Sequence, residues 1–467
     1  MISPNRNLHS ITICFFIFSL LISISAVAQS TGEIEMLAFN FKGNGARALA
    51  MGGACIAVGG DPSAAFWNPA GLASITESQI TAAYNFSGTM ERTYSAFDSD
   101  ILSITGYDFP LDFSGIDYMA LTLPLKQEDL YMVHQVSFRT VHNFGFSGSV
   151  SDPYTITKGV NSFSKDISFE SSGAMQEISY AVGFKAFKII QVGAAYHHFF
   201  GGYDYSGTNN STGLSIQYNE NLDSIANWDF LGDNFSIGII VKPADFLNIG
   251  GVFKTNYDLK AKYKIEQNYS YSDSVSDLST TYSSDGEAVI KHPSEWGLGI
   301  SLTPMKNLII AADYTYSNWL ADQNEDDDYI RGAINDFYFP YDPEDPPTDA
   351  ETLNYPTFIP PDDYQQEAES YLRFGGEYIL DSKDFDISVR AGFWQHNSIF
   401  TDANTESIKW TGITAGAGLT LNFIKIDVAL VIESASYPAF NFGADTQNLD
   451  ISNTYLFAQV SYTFESF

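Results

Sequence analysis

The sequence predicts an all-β protein: a transmembrane antiparallel β-barrel of about 14 strands with an N-terminal plug, or hatch, inside it. Three observations carry that prediction. Of 467 residues, 15% are aromatic and only 17% charged, with 36 Gly. Apolar and polar residues alternate with period two in several stretches, as in strands with one face in each environment. The connections between them are short on one side and long and acidic on the other, the asymmetry of periplasmic turns and extracellular loops.

The N-terminus sets the compartment. Arg6 precedes an apolar run from Ile11 to Ala26, which ends in Ala26-Val27-Ala28 before Gln29. This is the order of a basic region, an apolar region and a small-x-small cleavage site, so residues 1–28 read as a signal peptide. The run is short for a membrane span, which needs about 20 apolar residues. Cys14 lies within the run rather than at its end, where a lipoprotein acceptor would stand. Cleavage leaves Cys55 as the only cysteine. No later stretch approaches the length of a transmembrane helix, which leaves a soluble sandwich or a barrel.

Residues 29–75 follow without clean alternation. They hold eight Gly and many Ala, together with Phe39, Phe41, Met51, Phe66 and Trp67. Such composition suits a compact irregular insert packed inside a wall, and the aromatics argue against a disordered arm. This is the expected hatch, with residues 76–467 forming the barrel.

Strands then recur to the end of the chain. Phe385, Ile387, Val389, Ala391 and Phe393 alternate with Asp386, Ser388, Arg390 and Gly392. Leu308, Ile310, Ala312, Tyr314 and Tyr316 alternate with Ile309, Ala311, Asp313 and Thr315. In the last strand Leu456, Ala458, Val460, Tyr462 and Phe464 share one face. Tyr316, Trp319, Trp394, Trp410 and Tyr462 near strand ends suggest interfacial girdles. Short turns are expected at 126–129, 186–188, 242–245, 303–306, 381–383 and near Asn422. Long acidic loops are expected at 143–172, 202–231, 267–286 and 320–367, the last being the largest and holding seven Pro. Fourteen strands follow, starting near 79, 116, 130, 173, 189, 232, 247, 287, 307, 369, 384, 409, 424 and 454.

Charge removes other classes. With 23 basic and 56 acidic residues the net charge is −33, the opposite of a nucleic-acid binder's. Neither Gly-x-Ser-x-Gly, His-Glu-x-x-His nor Gly-x-x-x-x-Gly-Lys occurs, so an enzyme is not expected. Gly43-x-Gly45-x-x-Ala48 has dinucleotide-loop spacing without a βαβ context. The acidic stretch from Asp322 to Asp328 has Asp327 where a calcium loop needs its sharp-turn Gly. No metal site and no cofactor are expected.

Three stretches carry a family resemblance. The first runs Asn44-Gly45-Ala46-Arg47-Ala48-Leu49-Ala50-Met51-Gly52-Gly53-Ala54, then Asp61-Pro62-Ser63-Ala64-Ala65-Phe66-Trp67-Asn68-Pro69-Ala70-Gly71-Leu72. The second is His292-Pro293-Ser294-Glu295-Trp296-Gly297-Leu298-Gly299 with Tyr314 to Trp319. The third is Leu372-Arg373-Phe374-Gly375-Gly376-Glu377-Tyr378 with Val389 to Phe393. Together they resemble the FadL-type outer-membrane transport family for long-chain fatty acids and aromatic hydrocarbons. The resemblance implies a bacterial outer-membrane barrel with an N-terminal hatch. It further implies uptake of hydrophobic small molecules, captured in a loop groove and released sideways through a gap in the wall. The hatch pattern also resembles barrel components of a protein-secretion and surface-attachment system, which keeps an interaction role open. A general porin is a further reading.

Residues follow from these expectations. Phe66, Trp67, Arg139, Arg373 and Arg390 are candidate ligand-binding residues, the three Arg lying on the polar phase of their strands. The competing expectation is that these Arg pair with Asp313, Glu377 and Asp386. Asn68, Pro69 and Ala70 shape the hatch. His134 and His142, on the outward phase of the third strand, mark the expected wall gap. Expected partners are hydrophobic small molecules, outer-membrane lipid and, during biogenesis, the barrel-assembly machinery.

Overall fold

The computed structural model describes residues 43–464, apart from 95–96, 99–102, 105–106, 128–129, 156–161, 214–217, 274–276, 320–367, 403, 405 and 443–444. The expected signal peptide, the first part of the hatch, the longest loop and the last three residues lie outside the described residues.

The strands are β1 (Ser78–Tyr94), β2 (Phe97–Asp98), β3 (Ser103–Ile104), β4 (Tyr107–Gln127), β5 (Leu130–Asn143), β6 (Phe146–Thr155), β7 (Ser162–Phe187), β8 (Ile190–Gly213), β9 (Tyr218–Ala244) and β10 (Leu247–Lys254). They continue with β11 (Tyr257–Asp273), β12 (Asp277–His292), β13 (Glu295–Met305), β14 (Leu308–Ser317), β15 (Glu369–Asp381), β16 (Asp386–Thr401), β17 (Ser407–Leu421), β18 (Ile424–Phe442) and β19 (Asp445–Phe464). All belong to one antiparallel sheet, and β1 pairs with both β4 and β19, so the sheet closes. Fourteen strands form the closed ring: β1, β4, β5, β7 to β10 and β13 to β19. The other five stand outside it. Strands β11 and β12 prolong β10 and β13 beyond short breaks, and β6 prolongs β5. Closure leaves no open edge in the ring, which a sheet crossing lipid requires.

The burial pattern is inverted relative to a soluble sandwich. On β13, Trp296, Leu298, Ile300 and Leu302 face outward, while Gly297, Gly299 and Ser301 face in. Val136 and Phe235 are 53% and 56% exposed, whereas Gln135, Glu177, Glu377, Asp427 and Gln459 are buried. Outward apolar side chains repeat around the ring. In water each would forgo about 25 cal/mol per Å² of burial, whereas hydrocarbon removes that cost. No helix among the described residues is long and apolar enough to cross a membrane; the strands do so. This is an outer-membrane barrel.

The strand ends show where alternation was readable. Five starts next to the short turns, expected at 130, 189, 247, 307 and 424, fall at 130, 190, 247, 308 and 424. Asn422 makes the last of these turns at φ 48°. At the opposite end, starts expected at 116, 173, 232 and 454 fall at 107, 162, 218 and 445. The expected loops 143–172, 202–231 and 267–286 are largely extended hairpins instead. Above the bilayer both faces of a hairpin can be polar, so the period-two signal fades while pairing continues. A second correction concerns the girdle. Trp319, Trp394 and Trp410 are buried at 3%, 7% and 6% and line the interior, whereas Tyr462 is 45% exposed on the outer face.

Candidate functional site

The described part of the N-terminal segment contains α1 (Ala46–Ala50), α2 (Ala64–Trp67) and a 3-10 turn, η1 (Pro69–Ser74). Small residues keep these turns short and closely packed. Asn68 caps η1 by accepting from the Ala70 N–H at 3.1 Å, and Pro69 takes the first position, where no N–H is needed. The Asn68 amide also donates to the Ile56 carbonyl at 2.7 Å and to the wall carbonyls of Ile239 and Gly251 at 3.2 and 3.3 Å.

The segment is bonded to strands on every side. Asp117 on β4 accepts from the Asn44 amide at 2.6 Å and from the Gly45 N–H at 3.0 Å. Gln459 on β19 accepts from the Ala46 N–H at 3.0 Å, Thr414 on β17 from the Gly52 N–H at 3.0 Å, and Asp313 on β14 from the Ile56 N–H at 2.8 Å. Gln135 on β5 donates to the Pro62 carbonyl at 2.9 Å. The segment is thus bonded to inward-facing groups on strands around the closed ring. Inward glycines make the approach possible. A Cβ at Gly193 or Gly238 would stand 2.3 Å from the Pro69 carbonyl carbon or 1.8 Å from Asn68 Oδ1. Across the lumen, one at Gly375 or Gly392 would stand 2.2 Å from the backbone of Met51 or Gly52. Nothing marked these glycines in the sequence except their place on the inward phase of neighbouring strands.

Charges cross-link the segment to the wall. Glu377 on β15 accepts from Arg47 Nε and Nη2 at 3.1 and 2.6 Å and from Arg390 Nε at 2.7 Å. Arg390 Nη1 lies 2.8 Å from Asp427, which Lys425 approaches at 3.4 Å. On the other side Arg139 donates from Nε to Glu177 at 2.8 Å and from Nη1 to Asn44 at 3.0 Å, with its guanidinium 4.7 Å from the Phe66 ring. His197 lies 2.7 Å from the same Glu177 and 2.9 Å from Ser236. All three candidate Arg face inward, but Arg139 and Arg390 are already held by protein carboxylates. Arg373 differs. Its Nη1 donates to Thr315 at 3.0 Å, and its guanidinium sits 4.1 Å from the Tyr371 ring and 5.5 Å from Trp67. Among the described residues it makes no ion pair. Arg47 was missed as a charge partner, although it lies inside the first resembling stretch.

Cys55 is buried beside Trp67 and Ala48, and burial pushes its thiol pKa up. No group of three potential metal ligands occurs among the described residues.

Among the described residues, pairing between two neighbouring ring strands, β4 and β5, stops part-way along their length. The β4–β5 ladder runs from Gln127↔Leu130 to Tyr118↔Arg139 and stops. Beyond it β4 continues to Tyr107 paired with β1, while β5 stays with β7 through a register shift between Thr140 and His142. β5 then ends at Asn143, and β6 begins after Phe144 and Gly145, with the Phe144 N–H donating to the Gly173 carbonyl at 3.0 Å. Above the end of that ladder the Asn143 amide still donates to the Ser114 carbonyl of β4 at 2.9 Å. His142 lies beside the break, with its ring 4.7 Å from Phe144. His134 does not mark it: its rung pairs on both sides, with Leu123 and Val182, and its Nδ1 lies 2.7 Å from the Tyr180 hydroxyl. That hydroxyl satisfies the outward ring, so the strand need not bend there.

Above the N-terminal segment the inner wall is aromatic. On β15, β16 and β17, Tyr371 stacks on His396 at 4.3 Å and His396 on Trp410 at 6.2 Å, with Trp394 5.5 Å from His396. Nearby, Tyr257 stacks on His292 at 4.5 Å, and Trp319 stands edge-on to His292 at 5.1 Å. A further cluster joins Phe144, Phe199, Tyr203, Trp228 and Phe230.

These features define a class: a closed outer-membrane barrel of FadL-type fold, with its N-terminal segment bonded to the inner wall. The BamG family model matches residues 13–330, and the chain belongs to that family. Among solved structures, a Pseudomonas aeruginosa FadL homologue aligns at 14% identity and TM-score 0.54, covering 91% of this chain and 100% of that one. The P. putida toluene transporter TodX aligns at 12% identity and TM-score 0.54, covering 92% and 100%. The Ralstonia pickettii toluene transporter TbuX aligns at 14% and TM-score 0.51, with the same coverage. No curated protein matches the chain.

Proposed function

We propose that this barrel takes up hydrophobic small molecules across the outer membrane, long-chain fatty acids or aromatic hydrocarbons among them. Solute is captured at the extracellular end, held above the N-terminal hatch, and released sideways into the bilayer. The observation that supports the reading is the end of the β4–β5 ladder at Tyr118↔Arg139, above which the two strands are no longer paired; a side exit is placed there. A water-filled pore offers no gain to a molecule that avoids water, whereas an apolar path contributes about 0.8 kcal/mol per buried CH₂. The aromatic upper wall supplies such a path, and the toluene transporters TbuX and TodX share the fold. Arg373, over Trp67, is the cation best placed to meet a solute's carboxylate. The hatch residues Asn68, Pro69 and Ala70 seat the segment that closes the axial route. No enzymatic step is part of this reading. The test is uptake of labelled fatty acid and alkylbenzene by cells with and without the protein. Equal uptake would refute it.

Membership of the BamG family favours a second reading, an interaction component of a secretion or surface-assembly apparatus, and the family's name points toward the barrel-assembly machinery. Purification in mild detergent separates the two: a stoichiometric barrel or surface partner, with unchanged uptake in the deletion strain, supports the second.

A further inference from the structure

The outer face of the barrel changes character along one arc. On β17, β18 and β19 the outward side chains of the lower wall are apolar, among them Ile413, Leu430, Ile432 and Leu456. Above them one rung runs Thr411, Ser434, Ser452 and Glu91 across β17, β18, β19 and β1. The next outward positions are Lys409, Ser436 and Asp450, the last two paired. From Ile424, where β18 leaves its short turn, to Ser434, a strand at about 3.3 Å per residue and about 40° of tilt climbs about 25 Å. That is the height of a barrel's apolar band, so this rung stands at the level of the outer-leaflet headgroups. At the upper ends of β13 and β14 the corresponding place is filled by rings, with Trp296 5.7 Å from Tyr314 and 5.6 Å from Tyr316. Here small side chains leave a hollow of about 470 Å³, lined by the two polar rungs. Small-molecule clefts span about 300–1,000 Å³.

Hydroxyls facing hydrocarbon would forgo their hydrogen bonds, so these rungs call for polar groups at the membrane surface. Two carboxylates and one ammonium line the hollow, a balance that does not favour a phosphate. It suits a saccharide: Glu91 and Asp450 accept from sugar hydroxyls, Lys409 donates to them, and the Ser and Thr hydroxyls do both. We infer that the hollow is a binding site for the sugar headgroup of an outer-leaflet glycolipid, whose acyl chains lie along Ile413, Leu430 and Ile432. The headgroup stands in the hollow and the chains follow the apolar strip directly beneath it. The site faces the membrane rather than the lumen, so it is independent of the uptake reading.

The test is native mass spectrometry of the purified full-length protein in tetraethylene glycol monooctyl ether, a detergent without sugar or charge. The protein is titrated with three lipids of one acyl composition: digalactosyldiacylglycerol, phosphatidylcholine and phosphatidylglycerol. The galactolipid should bind about tenfold more tightly than phosphatidylcholine, the scale of one or two well-placed hydrogen bonds. Ser434→Leu with Ser436→Leu fills the hollow from outward positions. It should bring that ratio to about one while leaving phosphatidylcholine binding within about twofold. Glu91→Gln with Asp450→Asn keeps the shape of the hollow and weakens its acceptors, and should lower the ratio about threefold. Heat-modifiable gel migration confirms an intact barrel in each variant, and the second pair carries the test if the leucines disturb assembly. Galactolipid and phosphatidylcholine binding equally in the wild type overturns the inference. Preference for phosphatidylglycerol assigns the hollow to a phosphate and overturns it as well. A galactolipid ratio unchanged in the folded variants places the sugar elsewhere on the barrel and overturns the assignment.

Discussion

Replacing Glu377 with Gln should unseat the hatch. In the wild type one carboxylate accepts three N–H groups, two from Arg47 and one from Arg390. The Arg390 side chain is fully buried and that of Arg47 is 10% exposed. Glutamine keeps the shape but removes the charge and turns an amide NH₂ toward two guanidiniums. Removing one partner of a buried ion pair costs about 3–5 kcal/mol. Arg390 retains Asp427, so most of the loss falls on Arg47, whose other carboxylate, Asp61, lies 4.0 Å away within the hatch itself. At about 1.4 kcal/mol per factor of ten, the open population rises by roughly two to three and a half powers of ten. Cys55 reports this directly, because it is buried and its raised thiol pKa keeps it unreactive while seated. The assay is the rate of N-ethylmaleimide modification of purified protein in micelles, with heat-modifiable gel migration confirming an intact barrel. The variant should react about a hundredfold faster or more. An unchanged rate in a folded barrel would refute the claim that this ion pair seats the hatch.

Other outcomes follow from the same geometry. Gly193→Ala or Gly392→Ala places a Cβ within 2.3 Å of hatch backbone and should cost about 1–3 kcal/mol by overpacking, read as faster amide exchange across 50–74. Asn68→Ala removes the η1 cap and three donor contacts and should cost about 1–2 kcal/mol, confined to exchange of the residues after 68. His134→Phe, at a continuously paired outward position, should leave both uptake and barrel stability nearly unchanged, whereas a disulfide closing β4 to β5 above Tyr118 should block uptake. Deleting residues 465–467 should leave membrane insertion intact, because Phe464 continues the outward phase of Val460 and Tyr462, and Phe464→Ala should impair it.

Legibility divided at the level of the bilayer. Within it, period two placed Arg139, Arg373 and Arg390 on the inward face and Ile310, Val389 and Val460 on the outward one, because lipid enforces alternation. Above it, water accepts either face, so the strand character of 202–231 was hidden. The inward Trp394 and Trp410 read as girdle residues for the same reason. The compactness of the N-terminal segment was legible as composition, but its contacts to the wall were not. Arg47–Glu377 joins positions 330 residues apart, and no local pattern announces such a pair. The close-approach glycines became meaningful only once neighbouring strands were aligned.

The distribution of hatch bonds has a consequence for biogenesis. The segment is among the first parts of the chain to be made, yet its partners extend from Asp117 on the second ring strand to Gln459 on the last. Until β19 meets β1, those partners cannot surround it. Seating therefore coincides with or follows ring closure, and before that the Arg47 guanidinium and the bare amides of 45–56 travel unpaired through water. A chain arrested before its final strand would hold a hatch with no place to rest, and would expose the same polar backbone that the finished barrel conceals.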